Sequence, residues 1–189
     1  MTLVPPFILG KWSESTLGIV NSLSTCGLLA GGMLAVAWNI NDEQRSKVIV
    51  LATILGGLGI LLSGFSQSLV FIVVGFSLHL LSLGVMGAVS RAIWLTRVPQ
   101  ALQGRVYSAR TLVSQFVAPL AYLTAAPLAN GVFEPLLVGW RTTIPSLGTV
   151  FGTEPGRGLA LLFVCFGLLR IAVGVGLWHS KTFRSLHTA

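Results

Sequence analysis

Long apolar stretches, separated by short charged or glycine- and serine-rich turns, set the pattern of this chain. Five of them, residues 15–38, 48–65, 69–90, 111–129 and 159–178, read as helices that cross a bilayer. A helix needs about 20 mostly apolar residues to span roughly 30 Å of hydrocarbon. The segment "NINDEQRSK" is a charged turn between the first two stretches, and "SGFSQS" is short enough to make the second and third a tight helical hairpin. Pro119 and Pro127 fall inside the fourth stretch. There they should kink the helix and free carbonyls that neighbouring helices must satisfy. The opening "MTLVPPFILG" is apolar but too short to cross, and it lacks the basic start and small-residue cleavage site of a signal peptide. Residues 1–12 therefore read as the tail of a preceding transmembrane helix, with residues 13–189 as the helix bundle.

Composition strengthens this reading. Of 189 residues, 53% are hydrophobic and 9% charged, too little polar surface to coat a soluble domain of that size. The fold class is therefore an all-α integral membrane protein. A net charge of +7 would suggest nucleic acid if it formed a basic face, but the charges are sparse and sit between apolar runs, so nucleic acid is not expected as a partner. Their distribution is an orientation signal instead. With the turn after the first stretch in the cytoplasm, that side collects Arg45, Lys47, Arg91, Arg97, Arg105, Arg110, Lys181 and Arg184, while Lys11, Arg141 and Arg157 fall outside. The bias puts the C-terminus in the cytoplasm.

Glycine spacing indicates where helices meet. Gly27, Gly31 and Gly32 in the first stretch, Gly56 in the second, and Gly84 and Gly87 in the third offer small faces. Such faces let backbones approach closely, either within the bundle or in a dimer. No Asp or Glu lies within an apolar stretch, but His79 and Arg170 stand near the middle of the third and fifth. An ionisable group at that depth marks a functional site by default, because Arg at a helix centre costs about 2.5–3.5 kcal/mol on the lowest scales. Arg170 can alternatively snorkel or pair with carbonyls, and a neutral His79 can simply bond across helices. Asn21, Thr25, Gln115 and Tyr122 are further candidates to line a polar cavity, or else interhelical bonding groups. No hydrolase, nucleotide or metal motif is present, so no enzyme activity, cofactor or metal is expected. Cys26 and Cys165 read as small packing residues.

The segments "WLTRVPQALQGRVYSAR", "PLAYLTAAPLANGVFEPLL" and "GTEPGRGLALLFVCFGLL" occur in that order. Together they resemble the C-terminal half of major facilitator superfamily transporters, in the branch of macrolide-efflux-like permeases and siderophore exporters. The resemblance runs from "VPPFIL" to "FRSLH". It implies that the five spans correspond to helices eight to twelve of one incomplete six-helix half, preceded by the end of helix seven. "GGMLAVAW" with "QRSK" matches the second-half copy of the superfamily's loop motif. Residues 98–110 become the cytoplasmic loop between helices ten and eleven, with Arg97, Pro99, Gln103, Gly104, Arg105 and Arg110 as its motif. Where the family often has a glutamate, this chain has Gln100 and Ala101, removing a possible partner for Arg105. The implied function is half of an exporter of small lipophilic molecules in the plasma (bacterial inner) membrane. It would act by alternating access, with a complementary N-terminal half or an oligomer as partner. The alternative is a transporter-derived membrane subunit that acts in assembly without moving a substrate.

Overall fold

The computed structural model describes residues 3–38, 40–143 and 157–180, and every regular element among them is helical. A short helix α1 (Val4–Leu9) leads into α2 (Glu14–Ala37), α3 (Asp42–Phe65), α4 (Leu69–Arg97) and α5 (Gln100–Leu128). A π-helical turn (Ala129–Phe133) then joins α5 to α6 (Glu134–Thr143), and α7 (Gly158–His179) closes the described chain.

Local chemistry accounts for the boundaries. The Ser13 hydroxyl accepts the Thr16 amide at 3.4 Å and caps α2, with Glu14 favourably placed against the positive end of the helix. At the C-terminal end of α3, Ser66 and Ser68 are extended and the Ser66 hydroxyl accepts the Ser68 amide at 3.0 Å. The expected hairpin between the second and third stretches is thus a three-residue turn.

Four of these helices, α2, α3 from Gln44, α4 and α7, are long and apolar enough to cross a membrane. That is one fewer than the five expected. The expected fourth span, 111–129, lies largely inside α5, a helix that also takes in Gln100, Gln103, Arg105 and Arg110 and carries both Pro119 and Pro127. Its path follows from its neighbours. Gly64 faces Ala160, Gly57 faces Ile171 and Gly174 faces Ile54, so α3 and α7 run antiparallel. The first residues of α7 therefore lie at the end of the bundle opposite Arg97, and α5 carries the chain between those two ends. Its 29 residues extend about 43 Å at 1.5 Å per residue, enough to do so.

Residues 98–110 are not a loop. Pro99 holds Val98 extended, as a residue before proline is expected to be, and the helix resumes at Gln100. The connection between α4 and α5 is two residues long. Beyond the fourth apolar stretch the chain is likewise helical as far as Thr143. Pro127 lacks the amide that would continue the ladder, and a π-helical turn begins two residues later. A Glu134 carboxylate oxygen accepts the Gly158 amide, tying α6 to the start of α7.

Packing runs α2 to α4 to α3 to α7. Gly27 and Gly31 on α2 lie against the backbones of Ser77 and Leu81 on α4, and Gly84 lies against Leu28 and the Gly31–Gly32 backbone. The small face is used inside the chain, where any side chain on these residues would push the two backbones apart. Gly32 and Gly87, expected to share in it, face open space. Between α3 and α4 the buried Ser63 hydroxyl lies 3.1 Å from the Gly59 carbonyl of its own helix and 3.2 Å from the Ile72 carbonyl across the seam.

At the end of the bundle nearest α1, Phe7, Phe76 and Phe163 meet edge to face, with centroids 5.1 to 6.3 Å apart. α1 packs into the bundle, since Val4, Phe7 and Ile8 enter the same apolar core as Ile72, Phe76 and Val164. Outward-facing side chains such as Met33, Val36 and Val70 are more than two-thirds exposed. So much apolar outer surface on long helices is compatible with a multi-pass membrane protein.

Candidate functional site

Arg170 on α7 and His79 on α4 meet inside the bundle. One Arg170 Nη lies 2.7 Å from His79 Nδ1, and the other donates to Ser82 Oγ at 3.0 Å and approaches Met86 Sδ at 3.5 Å. A guanidinium can only donate, so Nδ1 must accept. The imidazole is therefore neutral, with its proton on Nε2, and the Gly56 backbone is a further polar neighbour of the ring. Ser82 in turn donates to the His79 carbonyl at 2.6 Å. Thr53 on α3 bonds the Ile49 carbonyl at 2.7 Å and reaches Met86 Sδ at 3.7 Å.

Helix geometry explains why these groups converge. His79, Ser82 and Met86 are spaced three and four residues apart, so they form one stripe on α4. Gly56 on α3 leaves the room, because a β-carbon there would stand 2.7 Å from the Arg170 guanidinium carbon. All of Arg170's hydrogen-bond partners on this stripe are neutral, so the charge is solvated by the protein but not cancelled.

The cluster borders a cleft of about 390 Å³, open on one side. Ile60, Phe76, Phe163, Phe166 and Val173 make most of its wall apolar, with His79 and Arg170 as its polar groups. This combination of an apolar wall and a few convergent polar groups is what a small-molecule site requires.

Searches against protein-family models, curated proteins and solved structures found no match for this chain. Function has to be argued from the site itself.

The other expected cavity residues lie elsewhere. Asn21 and Thr25 are on the exposed face of α2, where the Thr25 hydroxyl donates to the Asn21 carbonyl at 2.7 Å. Gln115 is exposed on α5, and the side chain of Tyr122 lies outside the described residues. The structure thus joins two of the six candidates and adds Ser82, Met86 and Gly56. For Ser82 and Met86 the signal was the three- and four-residue stepping along α4 from His79; Gly56, on α3, had none. That stepping carries weight only once Arg170 is known to face that stripe. Among the described residues no group of His, Cys, Asp and Glu could hold a metal ion.

The residues expected as a loop motif form a helical corner. Gln103 Nε2 donates to the carbonyls of Val98 at 3.0 Å and Leu95 at 3.3 Å, which satisfies the C-terminal end of α4. Arg110 donates to Ser90 Oγ at 3.2 Å and sits over the Trp94 ring at 5.8 Å. Gly104 has no side-chain space to defend, and Arg105 is exposed. Arg97 ends α4, where a cation complements the negative end of the helix.

Proposed function

We propose that this chain is one wall of a secondary-active transporter of the major facilitator type, exporting small lipophilic molecules by alternating access. The observation that carries the proposal is the Arg170–His79–Ser82 cluster. A guanidinium with neutral partners stands between helices of an apolar bundle, facing an open cleft. Pure packing gives no reason to keep a charge there, since it costs about 2.5–3.5 kcal/mol even on the lowest scales. The same charge disfavours cations in the cleft, so the substrates are neutral or anionic.

An open cleft needs a second wall. A complementary N-terminal half or another copy of the chain supplies it, and Asn21 and Thr25 on the exposed face of α2 are available to line the space between. Lys and Arg placement along the sequence supports a plasma-membrane orientation with the C-terminus in the cytoplasm. The other reading, an assembly subunit without transport, draws on the apolar and highly exposed face of α5, where Phe116 and Leu123 are among the most exposed residues.

The test replaces Arg170 with Ala at the chromosomal locus in the source organism, where any partner half is present, and follows accumulation of neutral and anionic fluorescent lipophiles. Accumulation rises in the variant if the proposal holds. Unchanged accumulation with equal amounts of protein in the membrane favours the assembly reading.

A further inference from the structure

Where α4 gives way to α5, a second cleft of about 410 Å³ opens at the end of the α4 span. Arg91 and Arg110 are its charged lining groups and no acidic side chain joins them, while Trp94 and Tyr107 supply aromatic walls. Arg110 is held in position by Ser90 and the Trp94 ring, and the Gln103 amide is committed to the end of α4. Two arginines and two aromatic rings at a span end match what a headgroup layer offers, since aromatic side chains favour that level and basic groups attract anionic lipids.

The cleft does not stop at the headgroup level. It continues into an apolar groove of about 480 Å³ that shares Trp94, Val106 and Arg110 with it and runs past Ala109, Val113 and Val117. These groove residues recur every three to four positions, so they form one stripe on α5. From Ala109, beside Arg110, to Val117 the stripe is about 12 Å long, most of one leaflet's share of a roughly 30 Å hydrocarbon core. Val113 and Val117 are more than half exposed, leaving the stripe uncovered.

We infer that the α4–α5 corner is a binding site for one anionic phospholipid. The phosphate lies between Arg91 and Arg110, and one acyl chain runs inward from there along Ala109, Val113 and Val117. The site is separate from the Arg170 cluster and does not depend on transport. Its bound lipid fills a seam between α4 and α5 that few side chains bridge.

Native mass spectrometry of the full chain in neutral detergent, offered equal amounts of phosphatidylglycerol and phosphatidylcholine, tests this without a variant. One phosphatidylglycerol should be retained in preference, by roughly thirtyfold for two basic contacts. Arg91→Ala with Arg110→Ala should abolish the preference. Arg91→Lys with Arg110→Lys should keep it, and so should Arg45→Ala with Lys47→Ala, which removes charge at the same end of the bundle. Val113→Trp should weaken retention of phosphatidylglycerol. Equal retention of the two lipids by the wild-type chain overturns the proposal. So does equal loss on removing Arg45 and Lys47, which would indicate a diffuse basic surface. No effect of Val113→Trp, or displacement by free glycerol phosphate, would show headgroup binding alone and also overturn it. A lipid-free dimer that masks the corner would assign the groove to a second copy instead.

Discussion

Arg170 is the residue on which stability and function pull apart. Its insertion costs about 2.5–3.5 kcal/mol, whereas interhelical hydrogen bonds in membranes return about 0.6 kcal/mol each, at most about 1.7. Its bonds to His79 and Ser82 therefore recover only part of the cost. Arg170→Leu should leave the chain as stable as the parent or more stable by about 1 kcal/mol, measured by reversible unfolding in mixed micelles, while transport falls. A loss of several kcal/mol would make Arg170 a structural residue. Gly56→Val tests the same cluster from the opposite helix. A side chain at Gly56 meets Ser82 and the guanidinium, so the variant should lose about 1–3 kcal/mol through overpacking. Both ionisable members could be read from the sequence, because charge in an apolar stretch stands out. Ser82, Met86 and Gly56 could not, since a serine, a methionine and a glycine are ordinary in a membrane helix until a guanidinium is known to face them.

At the scale of elements, the glycines separate into those that meet a backbone and those that do not. Gly31→Ile should force α2 from α4 and destabilise the chain by about 1–3 kcal/mol, whereas Gly32→Ile should change unfolding little, because nothing faces it. If Gly31→Ile left stability unchanged but abolished a dimer, the spacing would serve association between copies. Helix existence was legible in the long apolar stretches, from their length and apolarity, and so was the α3–α4 hairpin. The α4–α5 corner was not. Arginines in an apolar chain suggest a loop, yet they are compatible with helix, and Pro99 alone makes the break. Gln103 then caps α4 through contacts that spacing does not reveal. Likewise Pro127 suggested a kink, and it is followed by a π-helical turn that carries the helix onward to Thr143.

At the scale of the molecule, antiparallel packing of α3 and α7 sets the topology. The turn before α3 and the end of α7 lie at one end of the bundle, with Arg97. Reporter fusions inserted at Asn41 and attached after Ala189 should therefore report the same side of the membrane, and opposite sides would contradict the helix order. The sequence pattern anticipated five crossings, and connectivity makes α5 run the height of the bundle although, among the described residues, only four helices are apolar enough to cross unaided. That exposed, mixed helix is where the proposed partner half and the proposed lipid would bind. The central claim is that the Arg170 cluster serves a transport path rather than the fold. Export of lipophilic anions, compared between wild-type and Arg170→Leu cells at matched membrane abundance, tests it most directly. Export lost from a chain that remains fully stable is the predicted result; export retained at the wild-type rate would contradict the account.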